Sequence, residues 1–128
     1  MLHRISTDHA PAAIGPYSQA IQAGGWLYCS GQIPLDPATM ELVGGDDVQA
    51  QARQCLKNLE GVLKAAGATF AHAVKCQVFL KDMGDFQAVN EVYGEFLHGD
   101  NPPARACVEV ARLPKDVLVE IDCVAFLG

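Results

Sequence analysis

The strongest constraint on the fold is the order in which strand-like and helix-like patterns follow one another. Segments that alternate apolar and polar residues predict half-buried strands, because successive strand side chains point to opposite faces of a sheet. Segments with apolar residues three and four positions apart predict amphipathic helices. The predicted strands span about residues 2–6, 20–23, 26–30, 74–81, 105–110 and 117–126, and the predicted helices span about 46–66 and 85–97.

This order of elements predicts an α+β fold in which both helices pack on one face of a sheet. Asp46 or Asp47 is the expected N-cap of the first helix, and Gly67 is its expected C-terminal cap. The chain has 128 residues, half of them hydrophobic, which suffices for one core and is too short for two ordinary domains. Residues 1–128 are therefore predicted to form a single domain.

The predicted sheet face away from the helices is partly apolar. We assign to this face Lys75, Gln77, Phe79, Arg105, Cys107, Glu109, Leu118, Glu120, Asp122, Val124 and Phe126, and we assign Ala106, Val108 and Val110 to the core. Four of the residues on the open face are large and apolar, and a contiguous patch of this kind usually meets a partner. We therefore expect another subunit to cover this face, with the charged residues at or near the interface.

Arg105 is the first candidate for chemistry, because a guanidinium binds a carboxylate through two parallel hydrogen bonds. The alternation alone slightly favours a surface arginine that pairs with Glu109 or another acid. The segment PPA before Arg105 shifts the interpretation toward carboxylate binding, since prolines restrict the path of the loop and so the direction of the side chain.

Glu120 lies between Val119 and Ile121, and a carboxylate near an apolar interface has a raised pKa suited to proton transfer. An exposed strand glutamate fits the pattern equally well. Asn90 falls on the buried side of its predicted helix, where a polar side chain needs partners. It either caps a loop backbone or reaches a ligand.

Weaker candidates stand near the start of the chain. Tyr17 follows Gly-Pro and forms either a pocket wall or part of the core. Ser30 and Gly31 stand at a strand end, where binding sites are common. The motifs G-x-S-x-G, G-x-G-x-x-G and the Walker loop do not occur, so serine hydrolases and nucleotide-binding proteins lose their usual support.

Composition narrows the range of partners and compartments. Fifteen acidic and nine basic residues give a formal charge of -6, so a nucleic-acid partner is disfavoured. The five cysteines are far apart and the four histidines are scattered, which predicts reduced core thiols and no metal site. No signal peptide or membrane span is expected, and we predict a cytoplasmic protein without membrane contact.

Five segments together resemble the RidA (YjgF-type) family of enamine/imine deaminases. They are APAAIGPYSQAI, YCSGQIPLDP, QARQCLKNLEGVLKAAGA, VFLKDMGDFQAVNEVYGEF and PARACVEVARLPKDVLVEID, and they cover nearly the whole chain. The last segment is the most specific, because its arginine and its later glutamate stand in the family's relation. One departure is Pro102, in the segment HGDNPPAR, which stands where relatives often have an aromatic residue after a slightly longer loop. The resemblance therefore implies no particular substrate size preference.

The resemblance implies a chorismate-mutase-like mixed sheet, a homotrimer around a central barrel and sites between subunits. It implies hydrolysis of 2-imino and 2-enamino acids to 2-keto acids and ammonia without a metal or cofactor. Arg105 falls on the carboxylate-binding arginine of the family and Glu120 on its water-handling glutamate. Tyr17, Ser30, Gly31, Asn90 and Cys107 fall on substrate-binding positions.

Two other functions compete with deamination. A small-metabolite-binding or chaperone-like module would use the same pocket without turnover. Ribonuclease activity, which the resemblance also raises, is disfavoured by the acidic charge. Cys107 as a nucleophile is disfavoured as well, because no histidine is close in sequence and water adds directly to a protonated imine.

Overall fold

The computed structural model describes all 128 residues as six strands, two α-helices and three short 3-10 turns. The elements are β1 (Leu2–Ile5), β2 (Ala20–Ala23), β3 (Trp26–Gln32), α1 (Val48–Ala65), β4 (Ala73–Leu80), α2 (Phe86–Phe96), β5 (Ala104–Glu109) and β6 (Val119–Phe126). The strands form one sheet in the order β1-β2-β3-β6-β4-β5, antiparallel except for the parallel pair β4 and β5. The predicted α+β class and element order are confirmed.

Helix α1 begins and ends where the sequence predicts. The Asp47 carboxylate accepts hydrogen bonds from the backbone N–H groups of Gln49 and Ala50, at 3.0 and 3.1 Å. Gly67 has a φ of 76°, a conformation that glycine adopts without steric cost, and its N–H donates to the Lys64 carbonyl. Both ends of the helix are therefore capped by the expected residues.

The hydrophobic core lies mainly between the two helices and one face of the sheet. A cluster of 23 buried residues fills this space, including Leu56 and Leu59 of α1, Val78 of β4 and Ile121 of β6. Neither helix is long and apolar enough to cross a membrane. Burial of this cluster fixes which face of each central strand turns toward the helices.

The prediction for β5 is wrong in one respect, because its two faces are exchanged. Arg105 and Cys107 pair with Cys76 and Val78 of β4, which are core residues, and paired residues share a face of the sheet. Arg105 and Cys107 therefore lie on the helix side, while Val108 is 45% exposed on the open face. Alternation distinguishes the two faces of a strand but does not say which one is buried, and this edge strand has its more polar face beside α2.

The open face of the sheet is apolar at one end, where the sequence predicts Val124 and Phe126 of β6 to lie. Trp26 and Phe126 pack together with ring centroids 4.7 Å apart, yet they remain 43% and 44% exposed. Tyr28 is 54% exposed and lies opposite Val124 in the ladder of β3 and β6. This surface is the one for which the sequence predicts a partner.

Candidate active site

The seven predicted site residues form two groups on different parts of the molecule. Tyr17, Ser30, Gly31 and Glu120 line one cavity of about 660 Å³. Asn90, Arg105 and Cys107 meet at a small cleft between α2 and β5. One chain therefore brings together four of the predicted residues at the larger cavity and the other three at the cleft.

The larger cavity is built where β3 and β6 lose their regular pairing. Cys29 pairs with Cys123 and Gln32 with Ile121, so three steps along β3 match two along β6. This bulge places Ser30 and Gly31 beside Glu120, and bulges commonly redirect side chains near functional sites. The absence of a side chain on Gly31 provides the space that the Glu120 carboxylate occupies.

Glu120 is half-buried and has no cationic partner among the charged residues of the chain. Burial raises the pKa of Glu120, and the nearby Asp122 carboxylate raises it further. Burial likewise raises the pKa of Asp122. Carboxylates in this setting exchange protons closer to neutral pH than an ordinary surface glutamate does.

Ser30 and Tyr17 shape the wall of the same cavity. The Ser30 hydroxyl donates to the Ser18 carbonyl at 2.5 Å, which orients the loop before β2. Tyr17 is 53% exposed, so it is a wall residue rather than part of the core. Its hydroxyl oxygen accepts a long hydrogen bond of 3.4 Å from the Ile14 N–H.

Arg105 is held from two sides without an acidic partner. One of its Nη atoms donates to Asn90 Oδ1 at 2.6 Å. The guanidinium carbon lies 4.8 Å from the centre of the Tyr93 ring and 5.4 Å from the centre of the Phe86 ring. Glu109, the acid considered as its partner, instead accepts a hydrogen bond from the Met83 N–H at 2.8 Å. The exposed guanidinium therefore keeps donors available for an anion.

Cys107 lies beside Arg105 and is partly buried. Burial raises the pKa of the Cys107 thiol, and the charge of Arg105 opposes this shift only in part. A raised pKa keeps the sulfur protonated at neutral pH, and a thiol is a much weaker nucleophile than a thiolate. The site thus provides no activation of Cys107 for covalent catalysis.

Arg105 and Glu120 are far apart within one chain. Arg105 pairs with Cys76, which pairs with Cys123, three residues along β6 from Glu120. Two strand spacings across the sheet and three residues along it separate their Cα atoms by about 14 Å. The two side chains also point to opposite faces, so no small molecule reaches both in a single copy.

Comparisons with known proteins place this geometry in a family. Residues 7–127 match the family model described as Endoribonuclease L-PSP. A protein of Salmonella typhimurium named 2-iminobutanoate/2-iminopropanoate deaminase is 50% identical over 127 residues, covering 98% of each chain. The chain belongs to the RidA (YjgF-type) family.

Two solved structures of similar sequence have the same fold. The YjgF gene product of E. coli is 48% identical, with a TM-score of 0.93 over 98% of this chain and 99% of that one. E. coli TdcF with bound serine is 44% identical, with the same TM-score and coverage. A relative from Synechocystis, 58% identical over 123 residues, has the general name RutC family protein.

Several residues that build the two groups were not predicted from the sequence. Phe86 and Tyr93 flank Arg105, and their helical spacing with Asn90 was visible, but it indicated only a buried face. Buried Gln19 donates to the carbonyls of Ala10 and Pro11 and so holds the loop at the cavity. Its position just before β2 gave no indication of this role.

Lys115 also lines the larger cavity and was missed. It has a φ of 54°, and Asp116 next to it has a φ of 57°, both in the left-handed region that non-glycine residues seldom adopt.

No cluster of three or more His, Cys, Asp or Glu side chains in the chain is arranged to hold a metal ion.

Proposed function

We propose that this protein hydrolyses 2-imino and 2-enamino acids, such as 2-aminoacrylate, 2-iminopropanoate and 2-iminobutanoate, to 2-keto acids and ammonia. The main observation behind this proposal is that the exposed Arg105 guanidinium has no acidic partner. Asn90 and two aromatic rings hold it in place. Such a guanidinium binds a planar carboxylate through two hydrogen bonds. Every proposed substrate carries that carboxylate next to the reacting carbon.

Glu120 would supply the proton chemistry. In the protonated imine, C2 is electrophilic, and a water held by the Glu120 carboxylate adds to it while Glu120 accepts one proton. The resulting C2 carries a hydroxyl and an amine, and Glu120 returns the proton to the nitrogen. As the C–N bond breaks, the hydroxyl gives its proton to the Glu120 carboxylate and becomes the keto oxygen, and this proton then leaves with the ammonia as ammonium. Ammonia carries away the nitrogen. Water supplies the oxygen of the product, so the step needs no oxidant.

The separation of Arg105 from Glu120 supports a homotrimer in which each site combines the two groups from neighbouring subunits. A second copy that covers the open sheet face would bury Phe79, Val108, Val124 and Phe126 and bring its own residues to the exposed cavity. We infer that the sheets surround a central barrel in a chorismate-mutase-like arrangement. Tyr17, Ser30 and Gly31 would then face Asn90, Arg105 and Cys107 across the interface.

Two relatives support the substrate class. The Salmonella relative is named for iminobutanoate and iminopropanoate, and TdcF binds serine, a small amino acid with the same carboxylate and C2 skeleton. A ribonuclease, by contrast, neutralises phosphates with basic side chains, whereas this chain has a formal charge of -6.

The direct test generates 2-aminoacrylate from serine with a pyridoxal-phosphate-dependent dehydratase and follows keto acid formation, with semicarbazide to trap free imine. The wild-type protein should accelerate keto acid release and reduce semicarbazone formation. Arg105→Lys should lose most of this effect while folding normally, because a lysine keeps the charge but not the two-point contact. The matched control is Arg53→Lys, which alters an exposed arginine paired with Glu95 on the helices.

Absence of acceleration with several amino acid precursors would overturn the deaminase proposal. If the keto acid product still bound, the metabolite-binding module would be favoured instead. Near-normal turnover by a folded Arg105→Lys protein would remove the carboxylate contact from Arg105.

A further inference from the structure

Tyr93 is buried directly behind Arg105. Its side chain is on α2, it is only 7% exposed, and its ring centre lies 4.8 Å from the guanidinium carbon. Phe86, two turns earlier on the same helix, approaches the guanidinium at 5.4 Å. The two rings and Asn90 therefore contact Arg105 from the helix side and leave its outward edge exposed.

The hydroxyl of Tyr93 makes no contact that would favour tyrosine at this position. It is buried beside the Cys76 thiol and makes no well-formed hydrogen bond, which is an unfavourable state for a polar group. The ring makes the contact that matters for Arg105, because the negative face of an aromatic ring attracts a cation.

We propose that Tyr93, with Phe86, is a positioning residue that holds the Arg105 guanidinium in place before a substrate carboxylate arrives. This inference rests on the proposed function and adds a residue to it. An arginine side chain is long and loses rotamer freedom when it binds a ligand. Contacts that restrict it in advance reduce this loss and increase affinity. Tyr93 acts on substrate binding through Arg105 and touches no reacting atom.

The test measures both binding and turnover. Binding of 2-oxobutanoate, a keto acid product, is measured by calorimetry, and KM and kcat are measured with 2-iminobutanoate formed in place from threonine. Tyr93→Leu should weaken binding and raise KM about tenfold, which corresponds to about 1.4 kcal/mol. The kcat at saturation should change less than twofold, since Glu120 and its water are unaffected.

Two variants separate positioning from general damage to the helix. Tyr93→Phe keeps the ring, so its binding constant and KM should stay within about twofold of wild type. Phe96→Leu removes another aromatic ring from α2, one that packs edge-on against Phe70 with centroids 6.1 Å apart. It should leave KM unchanged, because it has no contact with Arg105.

Wild-type binding in Tyr93→Leu would overturn the inference and leave the deaminase proposal intact. A fall in kcat without a change in KM would also overturn it. If the wild type binds 2-oxobutanoate but catalyses no deamination, the proposed function fails, and the binding series still decides whether Tyr93 positions Arg105. If the wild type neither binds nor turns over, both are wrong.

Discussion

The carboxylate of Glu120 occupies the space where residue 31 would carry a side chain. A Cβ placed on Gly31 would overlap Glu120 Oε2 and lie 3.0 Å from Cδ of the same carboxylate. The backbone of Gly31 does not have a positive φ, so only this close approach requires glycine. Gly31 therefore sets the position of the proposed proton carrier.

Gly31→Ala should reduce kcat by at least tenfold and change stability little, because the flexible end of Glu120 can move away from the added methyl group. Steady-state kinetics and urea unfolding measure the two effects. Gly94→Ala is the matched control, since a Cβ there meets no atom within 4 Å. That variant should keep wild-type kinetics and gain about 0.5–1 kcal/mol of helix stability. Equal activity of the two variants would contradict the role of Gly31.

The pH profile should show the interaction between Glu120 and Asp122. Glu120 acts as a base only when deprotonated, and its raised pKa means that kcat/KM falls, as pH decreases, at a higher pH than for an ordinary glutamate. Asp122→Asn removes the negative charge that contributes to the shift, so the acid limb should move to lower pH. If kcat/KM of Asp122→Asn falls at the same pH as that of the wild type, a group other than the Glu120–Asp122 pair controls the decrease.

Cys107 should be dispensable for bond breaking. Burial keeps its thiol protonated, and no base lies beside it. Cys107→Ser and Cys107→Ala should therefore retain substantial imine hydrolysis, and mass spectrometry of enzyme quenched during turnover should find no substrate adduct. An adduct on Cys107, with activity lost in both variants, would show that catalysis is covalent and that water does not add directly to the imine.

Most of the fold could be predicted from local sequence patterns, namely helix caps and the spacing of apolar residues. Asp47, Gly67 and the apolar spacing between them predict α1 almost to the residue, because capping and periodicity act over one or two turns. The faces of β5 did not follow, since which face of an edge strand is buried depends on its register with β4. That register is a long-range property that alternation alone does not contain.

The candidate site was only partly predictable for a similar reason. The chemical types of Arg105 and Glu120 identified them as candidates, and the family resemblance assigned their roles. Their placement on opposite faces, and the support from Tyr93 and Gln19, arise from tertiary packing. No pattern within a short segment encodes such contacts.

Asn58 should stabilise the loop that lines the larger cavity. It is fully buried on α1, and its amide donates to the carbonyls of Ile33 and Leu35, at 3.2 and 2.9 Å. Asn58→Leu removes both hydrogen bonds and leaves the buried Leu35 carbonyl unpaired, while the Ile33 carbonyl still accepts from the Leu35 N–H. The free energy of unfolding should therefore fall by about 2 kcal/mol or more. The exposed neighbour Lys57→Leu should change it by less than about 0.5 kcal/mol. Urea unfolding at one fixed protein concentration compares them, and equal stability would contradict this role.

In the proposed trimer, each active site combines Arg105 of one subunit with Glu120 of the next. Arg105→Ala and Glu120→Gln are each refolded alone and then together from urea at equal concentrations, and imine hydrolysis and mass by light scattering are measured. Each variant alone should be a nearly inactive trimer. Random mixing gives each shared site about a one-quarter chance of receiving both intact residues, so the mixture should recover about a quarter of wild-type activity. A monomer in solution, or a mixture no more active than its two components, would show that Arg105 and Glu120 do not share a site between subunits.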